Sequence, residues 1–306
     1  MPSRSPISTK AKPFLKWAGG KSSLVVEFDK MGLIPKNFND YYEPFLGGGA
    51  VFFYLYNKGS IRSNSYLSDI NNELVNAYSI IKLRPEKLIE ELKGLQDEQS
   101  LELFMERRSE YNSLKKQDRV TMREKTRKAA LLICLNKTCF NGLYRENSKG
   151  EFNVPFGDYK NPRILDEPNI RAVSVALKNT SISTKGFASS VKSAKEGDFV
   201  YFDPPYVPIS QTASFTCYTK GDFSLDDQAK LADVFAKLTE KGVSVLYSNS
   251  KSEKVKELFE AIDGAVLNTV SASRFINCNG NGRGPVLEYA ITNFKPGVTQ
   301  ARLEIG

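Results

Sequence analysis

Histidine is absent from all 306 residues. That removes the usual general base of neutral pH, the imidazole of serine and cysteine triads, and the commonest metal ligand. Chemistry done by this chain has to rest on carboxylates, amines, backbone dipoles or a cofactor. Cysteine is scarce as well. Cys134, Cys139, Cys217 and Cys278 contain no C-x-x-C pair, which argues against a zinc site or a disulfide framework and leaves reduced packing thiols. No apolar run approaches the roughly 20 residues needed to cross a bilayer, and the polar, basic N-terminus lacks the apolar stretch of a signal peptide. The expectation is a cytoplasmic protein with no membrane and no metal site.

What is present fits a large globular chain, with 41% hydrophobic and 25% charged residues, enough for one large domain plus a smaller inserted one. The formal charge is +8 and uneven: between Lys115 and Arg163 twelve basic side chains face five acidic ones, a local excess of seven. Such a cluster suits a polyanion, with nucleic acid the obvious candidate, although a solvated helix face gives the same count.

Strand and helix patterns alternate at both ends of the chain around a helical, basic middle. Tyr41 to Phe45 reads as a strand, Gly47 to Gly49 as a tight turn, Ala50 to Asn57 as a helix and Tyr66 to Ile70 as a second strand. From Asn72 to Phe140 the periodicity is helical, with Leu101, Phe104 and Met105 on one face. After Pro162 the alternation resumes. Phe199 to Phe202 is a strand, and Ser224 caps a helix with Leu225, Ala229, Ala232, Phe235 and Ala236 as its apolar stripe and Gly242 as its stop. Val243 to Tyr247, Ala265 to Val270 and Val286 to Phe294 are further strands, the last two joined by the glycine-rich Asn279 to Gly284. The stretch before Phe14 reads as a tail. One α/β sheet domain built from residues 1–74 and 166–306, with a helical module inserted at 75–165, is the expected architecture.

Two local signals carry chemistry. Gly197 to Tyr206 ends an apolar strand on Asp203-Pro204-Pro205-Tyr206. A carboxylate and a carbonyl without strand partners can each accept one hydrogen of an NH2 group, proline stiffens the turn without adding an N–H, and a tyrosine ring can lie flat on a purine. A plain strand-ending turn has the same composition. The second signal is Glu43 to Phe52, a glycine turn between strand and helix that lets a ligand approach the backbone. Position 52 is phenylalanine, so the third glycine of the dinucleotide fingerprint is missing. Asp69, at the end of the next strand, is placed to take ribose hydroxyls. A nucleoside cofactor without pyrophosphate fits, and S-adenosylmethionine is one; a packing turn with Asp69 capping a helix is the alternative.

Together these segments resemble the DNA adenine methylase (Dam) family of N6-adenine methyltransferases, in the D12 class with the alpha order of motifs. The resemblance starts at Phe14 to Lys21 and continues through Glu43 to Phe52 and Ser68 to Asn71. It then includes Leu135 to Lys137, Phe140 to Arg145, Gly150 to Gly157, and Asp203 to Tyr206 with its continuation to Tyr218. The resemblance implies a Rossmann-like S-adenosylmethionine-dependent methyltransferase sheet with an inserted, mostly helical target-recognition domain. It implies that Trp17, Lys21, Phe45, Gly47, Asp69 and Asp203 hold the cofactor and that Asp203, Pro204 and Tyr206 are catalytic. Phe140 would be the aromatic wedging into the base stack, Lys16 would touch the first guanine, and Leu143, Arg145 and Pro155 would read the outer one. Asn141 and Tyr159 would support them as DNA contacts, with GATC as the target.

The partner implied is double-stranded DNA, with a flipped-out adenine stacked on Tyr206 and a monomer the expected state. Taken singly, Trp17 fits a core position, Phe140 fits packing under its own loop, and Arg145 fits an ion pair with Glu146 or Glu151. The competing activities are methylation of another planar amine, such as cytosine N4, RNA adenine or a protein glutamine, and a catalytically silent DNA-binding relative.

Overall fold

The structure of the protein, a computed structural model, describes residues 10–96, 99–206, 223–272 and 286–297. The Asn279 to Gly284 link, the continuation of the tetrapeptide to Tyr218, and Cys217 and Cys278 lie outside them. Two compact units make up the chain: residues 1–20, 47–58 and 69–184 form one, and residues 21–46, 59–68 and 185–306 the other.

The elements in chain order begin α1 (Leu24–Lys30), β1 (Tyr41–Glu43), α2 (Ala50–Lys58), β2 (Ser65–Asp69), α3 (Asn72–Leu83), α4 (Pro85–Lys93), α5 (Leu101–Lys115) and α6 (Met122–Thr138). They continue α7 (Glu167–Ala176), β3 (Thr180–Thr184), α8 (Phe187–Ser190), β4 (Phe199–Phe202), α9 (Leu225–Glu240), β5 (Ser244–Ser250), α10 (Glu253–Glu260), β6 (Val266–Ala272) and β7 (Val286–Thr292).

In the second unit six strands follow the order β2-β1-β4-β5-β7-β6. β1, β2, β4 and β5 are parallel, and β7 runs against both β5 and β6. The four residues of β4 are all buried, as a central parallel strand covered on both faces requires. The chain steps from β1 to β2 in one direction and from β4 to β5 in the other. The switch point therefore lies between β1 and β4, where open α/β sheets of the Rossmann type bind ligands beyond the carboxyl ends of their strands.

Strand lengths depart from the sequence expectation for identifiable reasons. β1 stops at Glu43 because Pro44 has no N–H to donate to the ladder. β5 runs on through Ser248, Asn249 and Ser250 because β7 pairs with them, Ser250 opposite Glu288. In α9 the Ser224 cap is joined by Asp227 in a reciprocal capping box. Its buried face is Gln228, Leu231, Ala232, Phe235 and Leu238, packed into a cluster with Val200, Phe202, Val245 and Tyr247. The expected stripe through Leu225 and Ala229 is displaced, and Leu225 is exposed. A polar residue, Gln228, occupies the position the apolar pattern would have assigned to a hydrophobe.

In the first unit the expected helical run resolves into α3, α4, α5 and α6, with Pro85 in the first turn of α4. α6 is buried without interruption from Lys128 to Asn136, the mark of a central helix, and packs against α3, α4 and α5. In α5 the buried set is Phe104, Arg107, Tyr111 and Leu114. Leu101 and Met105, expected on the apolar face with Phe104, are exposed. The residues before Phe14 are also not wholly a tail: Ala11 is buried with its N–H on Asn57 Oδ1, and the Lys12 N–H donates to Asn169 Oδ1.

Candidate active site

At the carboxyl end of β4 the chain turns through two prolines and leaves Asp203 among polar partners. Asp203 Oδ1 is 3.2 Å from Lys21 Nζ and accepts a 3.0 Å hydrogen bond from Ser248 Oγ, which lies 2.9 Å from the Tyr201 hydroxyl. Burial raises the Asp203 pKa above the ordinary carboxylate range, while the Lys21 charge and the Lys21 and Ser248 hydrogen bonds pull it back. Neither Asp203 Oδ2 nor the Pro204 carbonyl takes a hydrogen bond among the described residues. Tyr206 donates its hydroxyl to Glu288 Oε2 at 2.6 Å, and Lys21 Nζ sits 4.2 Å from its ring centroid. The Pro205 carbonyl accepts from Gln228 Nε2 at 3.1 Å. Gln228 Oε1 accepts from the Tyr247 hydroxyl, which accepts from Asn249 Nδ2. This geometry suits a planar amine: a fixed carboxylate with one engaged oxygen, a neighbouring carbonyl, and an aromatic ring held at its edge.

The glycine turn forms a second cluster, in the first unit. Gly47 (φ 47°) and Gly49 (φ 69°) adopt left-handed backbone conformations, and a Cβ on Gly47 would stand 3.0 Å from Trp17 Cδ1. The Gly47 N–H donates to Asp69 Oδ2 at 3.0 Å, the Asn71 N–H donates to Asp69 Oδ1 at 2.9 Å, and the Tyr78 hydroxyl donates to the Gly47 carbonyl. Burial raises the Asp69 pKa and these backbone amides oppose it. The cap of α3 is Asn71, which accepts from the Glu73 and Leu74 N–H groups, so Asp69 is not itself the helix cap. Each Asp69 oxygen keeps lone-pair capacity for a hydroxyl. Ile70 beside it is 70% exposed, a large apolar side chain that the sequence reading passed over. Carboxylate, apolar side chain and glycine turn together fit a nucleoside. Phe45, in the second unit, instead stacks on Phe187 and meets Phe202 and Phe223 edge to face.

The candidate DNA contacts gather on the loop after α6. Asn136, 1% exposed, accepts from the Lys16 N–H and donates to the Lys16 and Gly142 carbonyls. A Cβ on Gly142 would strike the Lys16 side chain, whose ammonium lies 4.8 Å from the Tyr159 ring centroid. The Tyr159 hydroxyl accepts from the Asn141 N–H, and Asn141 itself holds φ 55°, an uncommon conformation for a residue with a Cβ. Phe140 is 52% exposed, so half of its surface is not packed under its own loop. Pro155 is exposed and its carbonyl accepts from the Phe140 N–H. Arg145 pairs with neither Glu146 nor Glu151: its Nε donates to Asn153 Oδ1 at 2.8 Å and its Nη2 to the Asn153 carbonyl. Glu146 bonds Lys115 and Tyr144, and Glu151 bonds Lys116. Leu143, half-buried, precedes Tyr144, whose ring stacks on Trp17 at 5.3 Å. Trp17 is thus half-buried between the glycine turn and Tyr144.

The basic cluster is less charged than its sequence count. Arg127 forms a bidentate pair with Glu110 and a contact to Glu91, Lys128 pairs with Glu73, and Arg163 with Asp166, all acids from outside the Lys115 to Arg163 segment. Lys115 and Lys116 are paired within it. Among the described residues, Arg119, Arg123, Lys125, Lys137, Arg145, Lys149 and Lys160 form no ion pair. The sequence reading missed Ser248, Gln228 and Glu288. Two of them left a trace: Ser248 opens a polar run that ends an apolar strand, and Glu288 is an acid inside another.

The family model described as D12 class N6 adenine-specific DNA methyltransferase matches residues 17–273. The chain is 42% identical over 294 residues to a type II methyltransferase from Methanocaldococcus jannaschii, covering 93% of this chain and 100% of that protein. It is 40% identical over 285 residues to a type II methyltransferase from Lactococcus lactis subsp. cremoris, with 92% and 95% covered. To the DNA adenine methylase of Escherichia coli (strain K12) it is 35% identical over 291 residues, with 94% and 97% covered. A match across most of the chain and relatives aligned over nearly their whole lengths agree with a sheet that ends β4 on a carboxylate: this chain belongs to the D12 class N6 adenine-specific DNA methyltransferases.

Proposed function

We propose that this methyltransferase moves the methyl group of S-adenosylmethionine to N6 of an adenine flipped out of duplex DNA, within GATC. The observation that carries the reading is Asp203, with Oδ1 held by Lys21 and Ser248 and with Oδ2 and the Pro204 carbonyl free of partners among the described residues. The adenine N6 lone pair is delocalised into the ring. Accepting both N–H groups, at Asp203 and the Pro204 carbonyl, draws the nitrogen toward tetrahedral geometry and frees that pair to attack. The carboxylate also stabilises the positive charge the nitrogen acquires before it loses a proton. Tyr206 stacks on the flipped base, since an adenine within a duplex cannot reach such a site.

Trp17, Lys21, Phe45, Gly47 and Asp69 hold the cofactor in this reading, with Asp69 taking the ribose hydroxyls and Ile70 lying against the base. Bound S-adenosylmethionine supplies an electrophilic methyl group. Residues 75–165 form the target-recognition domain, and residues 1–74 with 166–306 the catalytic domain. Phe140, with half its surface exposed, enters the stack at the vacated position. Lys16 contacts the first guanine, with Asn141 and Tyr159 as supporting contacts. Leu143, Arg145 and Pro155 read the outer guanine; the guanidinium of Arg145 is held on one side by Asn153, which fits a fork presented to O6 and N7.

Incubation with labelled S-adenosylmethionine and duplexes carrying GATC, or GATC altered at each base, followed by nucleoside analysis, tests the reading. Label in N6-methyldeoxyadenosine, lost on altering either guanine, is the expected outcome. Label in N4-methylcytosine, or equal labelling of all duplexes, would overturn it.

A further inference from the structure

β7 carries an acid where a strand of an apolar sheet has no use for one. Glu288 is 6% exposed, with Tyr289, Ala290 and Ile291 buried after it. A carboxylate taken out of water is costly unless paired. Its partners are the Tyr206 hydroxyl, 2.6 Å from Oε2, and Lys21 Nζ, 4.0 Å from the same atom. Lys21 Nζ is also 3.2 Å from Asp203 Oδ1 and lies over the Tyr206 ring. One ammonium is therefore divided between two carboxylates, and one tyrosine is fixed both at its hydroxyl and on one face.

We propose that Glu288 is a positioning residue for methyl transfer: it anchors the Tyr206 ring by its hydroxyl and draws Lys21 partly away from Asp203. This rests on the roles of Asp203 and Tyr206 proposed above. The anchored ring has one face under the ammonium, so a flipped base has the other face to stack on. Sharing Lys21 keeps Asp203 from being tied fully to the ammonium and leaves its carboxylate basic enough to grip an amine. The ionisable groups acting on Asp203 are Lys21 and Glu288 together with the phenols of Tyr41, Tyr201, Tyr206 and Tyr247, and burial raises all four phenols. Glu43 acts one step removed, on Tyr41 and Tyr201. Among the described residues, Lys21 and Glu288 are the charged groups that bear on Asp203 directly.

Glu288→Gln keeps the size of the side chain and an acceptor for Tyr206 but removes the charge. The expected result is an acid limb of kcat displaced to lower pH, because Asp203 loses a negative neighbour and gains the whole of Lys21. Glu288→Ala and Tyr206→Phe each cut kcat by about 10- to 100-fold, the size of a hydrogen bond to a charged group. The double variant loses less than the product of the two, since both remove the same bond. A limb that stays in place in Glu288→Gln, or losses that multiply in the double variant, would overturn the inference. Asp203→Ala run alongside separates the failures. If that variant still transfers methyl groups, the proposed function fails; if it is inactive while Glu288 variants behave as wild type, only the role of Glu288 does. Should Glu288→Ala not fold, Glu288→Gln and Tyr206→Phe still decide the question.

Discussion

Lys21 and Asp203 form a 3.2 Å ion pair with side chains only 8% and 18% exposed. Burial raises the pKa of this carboxylate and Lys21 lowers it, so the pH at which the site loses activity reports on the balance. In the proposed mechanism the competent form is the carboxylate. Transfer is therefore full above the Asp203 pKa and falls as pH drops through it. Lys21→Met removes the lowering charge and is expected to move the acid limb of kcat, measured at saturating cofactor, to higher pH. A limb that moves down or stays would exclude Asp203 as the titrating group.

In the proposed mechanism, removing the Asp203 carboxylate removes the grip on the amine. Asp203→Asn is expected to slow single-turnover methylation by at least about 100-fold, the cost of losing one preorganised electrostatic interaction. Folding, followed by circular dichroism, and DNA affinity change little by comparison. Near-normal turnover would take Asp203 out of the mechanism.

Among the described residues, the Arg145 side chain is held by Asn153 alone. Arg145→Ala is expected to relax discrimination at the outer guanine by about 1 to 3 kcal/mol, seen as a smaller ratio of kcat/KM between GATC and the duplex altered there. Asn153→Ala is expected to weaken discrimination at the same base by a smaller amount. An unchanged ratio for Arg145→Ala would assign the reading to another side chain.

The paired and unpaired cations of the basic segment should separate in experiment. Replacing an unpaired one, such as Lys149 or Lys160, lowers the slope of log affinity against log salt by about 0.9 for each phosphate that is no longer neutralised. Lys128→Met leaves Glu73 as an uncompensated charge 10% exposed, and is expected to cost about 3 to 5 kcal/mol in denaturant unfolding with the slope retained. Equal effects of the two classes on the slope would show that pairing does not decide which cations meet DNA.

Local order made much of the candidate site legible. Asp203 to Tyr206 follows directly on four apolar strand residues, and Gly47 and Asp69 end consecutive parallel strands or the turns after them, so the pattern of a few residues places each one. The partners were not legible, because long-range pairing supplies them. Ser248 meets Asp203 through the alignment of β5 beside β4, and Glu288 meets Tyr206 through the antiparallel return of β7. Arg145 shows the limit most clearly. Two acids lay within six residues, yet both were taken by lysines at the end of α5, and an amide took the arginine. Charge counts overstate the free cations for the same reason: Glu73, Glu91 and Glu110 pair with cations of α6 from helices earlier in the chain.

The bond from Gln228 to the Pro205 carbonyl sorts two consecutive acceptors. One lone pair of that oxygen is taken, whereas the preceding carbonyl, at Pro204, has no hydrogen-bond partner among the described residues and is the one that meets the amine in the proposed mechanism. The second proline of the turn is thus braced by the amide of a helical side chain 23 residues further along the chain. Were that amide lost, the turn would carry two consecutive carbonyls without a partner among the described residues, and in the proposed mechanism both would compete for the amine.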